Sequence, residues 1–211
     1  MNFQTFRRNY RQNPFLDSAS LIRESGENAQ VLRNQISRWT KKKLLLKLKK
    51  GTYIFSDLDR KAPLSLVYLA NNLCIPSYVS LEWALSFYEL IPEMTQVITS
   101  ITSLKTRRIK NSVGLFSYQH IKRSAFGGFV SKPLDGETAF FIAEPEKALV
   151  DFCYLNLSRF QNDPAKAALG SYRFQNFDQL NHQKLSNYAQ LFECKKLDRV
   201  IKALAAFIGK V

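Results

Sequence analysis

Side chains that can hydrogen-bond a nucleic acid recur along residues 29–55. The first part of this stretch presents amide, hydroxyl and cationic groups at Gln30, Arg33, Asn34, Ser37, Arg38 and Lys41. Arg and Lys bind phosphate oxygens, while Arg, Asn and Gln also pair with base edges in the major groove. The stretch holds eight Lys or Arg and no acid. These residue types therefore predict contact with DNA, with Arg33, Asn34, Ser37 and Arg38 at bases or in the groove.

The apolar residues of the same stretch predict the element that positions those groups. Leu32, Ile36 and Trp39 recur at offsets of four and three, which keeps them on one face of a helix. We expect that face to be buried in a core. The cationic and amide side chains would then lie on the opposite, exposed face.

A change of rhythm after residue 43 predicts a β-hairpin. Leucines at 44, 46 and 48 alternate with Leu45, Lys47 and Lys49, and a period of two favours a strand. Gly51 permits a tight turn before a β-prone return strand at 53–55. A basic helix followed by a basic hairpin is typical of a winged helix-turn-helix, and phosphate contacts are predicted for Lys41, Lys47, Lys49 and Lys50. The alternative is a solvated lysine-rich helix beside a neighbouring hairpin.

Other groups that can do chemistry are sparse. Glu144, Glu146 and Asp151 form one compact acidic group, and carboxylates can bind Mg²⁺ or move protons. Glu144 and Glu146 lie two residues apart at an expected helix start, so their side chains should diverge, and a capping or dipole role is favoured. The spacing of the three Cys and two His predicts reduced thiols and no metal site, and no cofactor is expected.

A second basic cluster consists of Lys105, Arg107, Arg108 and Lys110. If residues 107–110 form a strand, Arg108 and Lys110 project to one face and Arg107 to the other. The cluster is predicted to be an auxiliary phosphate-binding patch or a docking surface for an acidic partner. Simple solvation is the alternative.

Charge and composition bound the class of protein. The 211 residues carry a net charge of +14, of which residues 1–55 contribute +9, from twelve Lys or Arg against three acids. A polyanion is therefore the expected large partner. No run of about eighteen apolar residues occurs and no secretory signal is recognised at the start, so a cytoplasmic protein without a membrane span is expected.

The order of elements predicts an α+β protein. Residues 1–58 are expected to form the winged helix-turn-helix, and residues 63–211 a mixed α+β domain that ends in helices. In the first domain a short helix stops before Pro14, and a second is capped by Asp17 or Ser18 and ended by Gly26. In the second, helices near 64–73 and after Ser80 precede four strands, a helix begins at Pro145, and the tail beyond residue 159 is helical. Turns are expected at 127–128 and 135–136.

Four stretches together resemble the AbiEi family, the antitoxin and repressor of bacterial abortive-infection toxin–antitoxin systems. They are WTKKKLLLKLKKGTY at 39–53, YVSLEWALSFYELI at 78–91, FGG at 126–128 and AEPEKALVD at 143–151. Two positions depart from the family pattern, because Lys43 and Glu89 stand where such sequences usually have glycine.

The resemblance implies a winged helix that represses its own operon by binding inverted repeats in the upstream double-stranded DNA. It also implies a C-terminal domain that counteracts a nucleotidyltransferase-like toxin without needing a stable complex with it. Two alternatives remain at this point. One is a metal-dependent nuclease that holds its metal through Glu144, Glu146 or Asp151, and the other is a protein that blocks a toxin by direct contact.

Overall fold

The chain folds into two compact units of mixed α+β structure. The computed structural model describes residues 1–134, 138–160 and 172–208. The first unit comprises Met1–Leu69 and Ile109–Gly114, and the second comprises Ala70–Arg108 and Leu115–Val211. The predicted α+β class is confirmed. Independent folding of residues 1–58 and 63–211 stays a prediction. No helix within the described ranges is long and apolar enough to cross a lipid bilayer.

Three helices and a small antiparallel sheet form most of the first unit. In chain order they are α1 (Phe3–Tyr10), β1 (Leu16–Asp17), α2 (Ser18–Ser25), α3 (Ala29–Lys41), β2 (Leu45–Lys49) and β3 (Thr52–Phe55). The central strand is β3, which pairs with β1 on one side and β2 on the other. The three predicted helices and the hairpin are confirmed. Strand β1 was not predicted, because two residues are too few to show a period.

The core of the first unit joins all three helices to the sheet. Its fully buried members are Phe6, Leu16, Leu21, Leu32, Ile36, Trp39, Leu45 and Phe55. The Phe6 ring centroid lies 4.6 Å from that of Trp39 and 5.6 Å from that of Phe55. The predicted stripe on α3 is therefore confirmed, because its three members are the buried residues of that helix.

Strand β2 does not follow the expected alternation along its whole length. Leu45 and Leu48 are both buried, although they lie three positions apart. A β-bulge between Lys47 and Lys49 adds a residue to β2 opposite β3, which interrupts the period of two. The expectation that residues 44, 46 and 48 share one face, opposite residues 45, 47 and 49, is wrong for this reason.

The remaining elements are the strands of a six-stranded mixed sheet and further helices. They are α4 (Leu66–Leu73), β4 (Ser77–Val79), α5 (Leu81–Phe87), β5 (Val97–Thr102), β6 (Arg107–Lys110), β7 (Leu115–His120), β8 (Phe129–Pro133), β9 (Ala139–Ala143), α6 (Pro145–Leu155), α7 (His182–Gln190) and α8 (Lys195–Ile208). The strand order is β6-β7-β5-β4-β9-β8. Strand β5 is parallel to β7, and β4 is parallel to β9.

Most predicted elements of this part of the chain are confirmed, and the following details differ. Strand β4 was not predicted. Helix α5 ends at Phe87 and not at Pro92, and Ser80 precedes α5 without making a side-chain cap bond. Pro145 is the first residue of α6, as predicted. The helical expectation for the tail is wrong at residues 172–176, which form no helix. The turn expected at 135–136 and the helical expectation for 161–171 lie outside the described residues.

The chain leaves helix α3 through a residue with left-handed backbone geometry. This residue is Lys43, directly after the C-cap Lys42, and its φ is 58°. The Lys43 N–H donates to the carbonyl of Thr40, and the Leu44 N–H donates to the carbonyl of Trp39, both at 3.0 Å. This pair of bonds is the Schellman motif, in which the left-handed position is usually glycine. A lysine there carries a Cβ in a strained conformation.

The same motif closes α5. Glu89 has φ of 57°, its N–H donates to the carbonyl of Ser86 at 3.0 Å, and the Leu90 N–H donates to the carbonyl of Leu85 at 2.8 Å. The two positions where the resemblance expects glycine are thus both left-handed helix ends. The backbone geometry persists in this chain without the residue that adopts it most easily.

We predict that Lys43→Gly stabilises the protein by about 0.5–1 kcal/mol. Glycine removes the left-handed strain from the folded state, and this gain exceeds the loss that comes from the greater backbone entropy of glycine in the unfolded state. The control is Lys42→Gly, since Lys42 has a φ of −79° and glycine there should lower stability. Urea unfolding followed by circular dichroism measures both changes. Equal destabilisation by both substitutions would contradict strain at Lys43.

Candidate nucleic-acid interface

Helix α3 begins at a defined cap after a tight turn. Gly26, with φ of 65°, ends α2. The Asn28 side-chain oxygen then accepts hydrogen bonds from the backbone N–H groups of Gln30 at 2.9 Å and Val31 at 3.3 Å. An Asn cap satisfies donors that the first turn of a helix leaves open. These bonds set the position at which α3 starts, and therefore which side chains face outward.

The outer face of α3 displays every residue predicted to bind DNA from this helix. All six side chains are exposed, namely Gln30, Arg33, Asn34, Ser37, Arg38 and Lys41. The helix contains no acid. Among the residues that the structure describes, none of the three cations of this face forms a salt bridge. Their charge is therefore available to a polyanion.

Two internal hydrogen bonds order part of this face. The Gln30 side-chain amide donates to Asn34 Oδ1 at 3.1 Å, and Arg38 Nε donates to the backbone carbonyl of Asn34 at 3.4 Å. The first bond orients the Asn34 amide so that its NH₂ group remains free to donate. The second bond uses one of the five guanidinium N–H groups of Arg38, and the N–H groups at the end of the side chain remain available to a ligand.

The hairpin β2–β3 carries the other predicted phosphate ligands. Lys47 and Lys50 are exposed, whereas Lys49 is half-buried. Gly51, in the turn, has φ of 82°, and a Cβ at this position would lie 3.1 Å from Ser18 Oγ. The carbonyl of Leu48 at the bulge accepts a hydrogen bond from the Asn111 side-chain amide at 3.2 Å. The bulge is thereby fixed, and the lysines on both sides of it take different exposures.

The four residues of the predicted auxiliary patch are Lys105, Arg107, Arg108 and Lys110. All four are exposed, and the last three lie on strand β6. Within the described part of the chain, none of them forms a salt bridge. The structure therefore places four unneutralised cations along this segment.

The acidic group at the start of α6 binds the C-terminal helices. Glu144 accepts hydrogen bonds from the Tyr188 hydroxyl at 2.5 Å and from Lys184 Nζ at 3.0 Å, and the Tyr188 bond is the main reason that its pKa is lowered. Glu146 accepts from the backbone N–H of Asn181 at 2.9 Å. Glu144 stands at the N-cap but makes no side-chain cap bond. The predicted positions near the helix start are confirmed, while the expected capping role is replaced by contacts with α7 and the residue before it.

Asp151 belongs to a different group, which the sequence patterns did not reveal. It pairs with Lys147, and both side chains have no exposed surface. Asp151 Oδ2 also accepts hydrogen bonds from the Tyr78 hydroxyl at 3.0 Å and from Ser80 Oγ at 2.9 Å. Lys147 Nζ in turn donates to the Tyr78 hydroxyl at 2.9 Å. We refer to these four residues as the buried network.

Burial sets the electrostatics of the buried network. Desolvation lowers the pKa of Lys147 and raises the pKa of Asp151, while the charge of each partner opposes the shift of the other. Lys147 Nζ also lies 5.0 Å from the ring centroid of Phe192 on the turn after α7. The only sequence signal was the spacing of four between Lys147 and Asp151, which suits an ion pair on one helix face.

Cysteines and histidines add no further site to the described part of the chain. Cys74 and Cys153 are buried free thiols, and Cys194 is a half-buried one. No group of three or more His, Cys, Asp or Glu residues within the described ranges is placed to hold a metal ion.

No protein-family model and no curated protein matches this sequence.

We predict that Lys147→Met destabilises the protein by about 3–5 kcal/mol, because it leaves the buried Asp151 carboxylate without its counter-charge. The double variant Lys147→Met/Asp151→Leu should recover most of this loss, since it removes both charges. Urea unfolding of the single and double variants measures the difference. A double variant that is no more stable than the single one would show that the charge of Asp151 is not the cause.

Proposed function

We propose that the first unit is a winged helix-turn-helix that binds double-stranded DNA. The observation that carries this proposal is the outer face of α3, where six exposed polar or cationic side chains stand without an acid, opposite a stripe that is fully buried. Such a face matches the phosphate oxygens and base edges of a major groove in both charge and hydrogen bonding.

The order of the elements supports the same proposal. A winged helix-turn-helix places its third helix in the major groove and lets the hairpin after it follow the phosphate backbone. The first unit has three helices followed by a hairpin, with the short strand β1 joining the hairpin to form a sheet. Under this proposal α3 is the recognition helix and β2–β3 is the wing.

The side chains divide into two expected roles. Arg33, Asn34, Ser37 and Arg38 lie on the outer face of α3 and are proposed to contact bases or the groove. Lys41, Lys47, Lys49 and Lys50 are proposed to contact phosphates, with Gln30 holding the amide of Asn34. Phosphate contacts set affinity and its salt dependence, whereas base contacts set specificity.

We further propose that this DNA lies upstream of the protein's own operon, and that the chain acts as autorepressor and antitoxin toward a nucleotidyltransferase-like toxin. The resemblance to the AbiEi family supports this part of the proposal. Its signature residues in the second unit also meet in one place, because Tyr78 and Ser80 from one stretch bind Lys147 or Asp151 from another. A nucleotidyltransferase-like reading frame is expected beside this gene.

The observed contacts of the acids give no support to the alternative of a metal-dependent nuclease. Glu144 accepts bonds from Tyr188 and Lys184, Glu146 accepts one from a backbone N–H, and Asp151 is paired with Lys147. Each carboxylate is thus already engaged by a donor of the protein. A direct blocking contact with the toxin stays an alternative for the second unit, and no observation among the described residues of that unit favours it.

We predict that Arg33→Ala weakens binding to the upstream DNA by about 1–3 kcal/mol and relaxes the preference at one base pair. Lys47→Ala should weaken binding to all duplexes alike and reduce the slope of log affinity against log salt by about one, because a phosphate contact is lost. Fluorescence anisotropy across a salt series, with the upstream duplex and a scrambled one, measures both effects.

The matched control is Arg199→Ala, which removes an exposed arginine of α8 and should leave both slope and preference unchanged. Binding that is undetectable or independent of salt would refute the proposed interface. Equal losses for Arg33→Ala and Arg199→Ala would show that net charge alone governs the interaction.

A further inference from the structure

The second unit contains a cleft that the proposed DNA-binding function does not use. It has a volume of about 440 Å³, which lies within the range of small-molecule sites, roughly 300–1,000 Å³. Its floor is one face of the sheet, where Thr99 of β5 lies beside Ser117 of the parallel strand β7. Gln119, two residues further along β7, continues the same face.

Ser117 provides the floor of the cleft with a hydroxyl group that a ligand can contact. The residue is only 7 % exposed, yet its hydroxyl has no hydrogen-bond partner among the residues that the structure describes. The neighbouring Thr99 hydroxyl, in contrast, donates to the carbonyl of Ser80 at 2.7 Å and accepts from the Trp83 N–H at 3.0 Å. The Ser117 oxygen is not among the buried side-chain atoms that lack a partner, so it is accessible from the cleft it lines. A hydroxyl there can donate one hydrogen bond to a ligand and accept others.

Two opposite charges line the same cleft without pairing with each other. Arg108 from β6 and Glu82 from α5 both border it, and neither forms a salt bridge within the described ranges. A guanidinium binds a phosphate group through two parallel N–H bonds. A carboxylate accepts hydrogen bonds from hydroxyl groups, as acidic residues do from the ribose in nucleotide sites. The Gln119 amide, which also lacks a partner in the described part of the chain, can both donate and accept.

Aliphatic side chains complete the walls. Leu81, Val97, Leu115 and Leu155 all line the cleft and offer the flat apolar surface on which a base ring can lie. Leu81 has a φ of 59°, a strained geometry of the kind that gathers at binding sites. Among the described residues of the lining, one cation is opposed by one carboxylate, and this balance suits a single phosphate group better than a polyphosphate.

We propose that this cleft binds a nucleoside monophosphate, with the phosphate on Arg108, sugar hydroxyls at Glu82, and base or sugar polar groups at Ser117 and Gln119. This site is separate from the proposed DNA interface, because every residue that lines it belongs to the second unit.

The test is titration of the full chain with AMP, adenosine and inorganic phosphate, followed by isothermal calorimetry and by amide chemical shifts. AMP is expected to bind with a dissociation constant below about 1 mM, more tightly than adenosine or phosphate, and to shift the amides of residues 99, 117 and 119. Arg108→Gln should weaken AMP binding about tenfold or more. Ser117→Ala, which removes the hydroxyl with little change in side-chain volume, should weaken it several-fold.

The matched control is Arg107→Gln, because Arg107 is the exposed neighbour of Arg108 on the same strand but does not line the cleft. It should leave AMP binding unchanged, as should the double variant Arg33→Ala/Arg38→Ala, which tests for adventitious binding to α3. No binding of AMP, equal effects of Arg107→Gln and Arg108→Gln, or phosphate bound as tightly as AMP would each overturn the proposal. Thermal unfolding of each variant identifies a substitution that fails to fold, in which case Ser117→Ala and the chemical shifts decide.

Discussion

The packing of one face of α3 against an aromatic core is the constraint on which the rest of the first unit depends. Leu32, Ile36 and Trp39 are at most 8 % exposed, and the centroid of the Trp39 ring lies 5.4 Å from that of Phe3 and 4.6 Å from that of Phe6. Each such side chain contributes about 1.5–3 kcal/mol when it is fully buried. This packing fixes the rotation of α3 about its axis. The amide and cationic side chains on the opposite face of the helix are therefore exposed to solvent.

Sequence periodicity predicted this arrangement because α3 is long enough to show it. Thirteen residues with large apolar side chains at offsets of four and three, which are the three buried positions, give a helical period that differs from the period of two in a strand. The hairpin was predicted in outline but not in register, since the bulge between Lys47 and Lys49 depends on pairing with β3 and on the Asn111 bond to Leu48. Such tertiary partners leave no local trace. Strands β1 and β4, at two and three residues, are defined only by the strands they pair with.

In the second unit, sequence patterns did not predict which charged residues are buried. Helix α6 has buried residues at every position from 146 to 153, so its charged residues do not mark an exposed face, as an amphipathic pattern would suggest. Lys147 and Asp151 neutralise one another within the core, and Tyr78 and Ser80 complete their hydrogen bonds. A buried ion pair of this kind contributes little net stability against an apolar replacement, but it strongly disfavours any arrangement that separates its partners. Arg108 was predicted only as part of a basic cluster, and Glu82 and Ser117 were not singled out, because only the folded second unit brings these three residues to one cleft.

The most direct test of the central claim is hydrogen exchange of the full chain, measured by mass spectrometry with and without the duplex upstream of its own gene. If α3 presents its outer face to DNA and the hairpin follows the backbone, binding should slow exchange in peptides that cover residues 29–41 and 45–55, with little change in α8. Slowing confined to the second unit, or no change at saturating duplex, would contradict the assignment of this helix as the surface that contacts DNA.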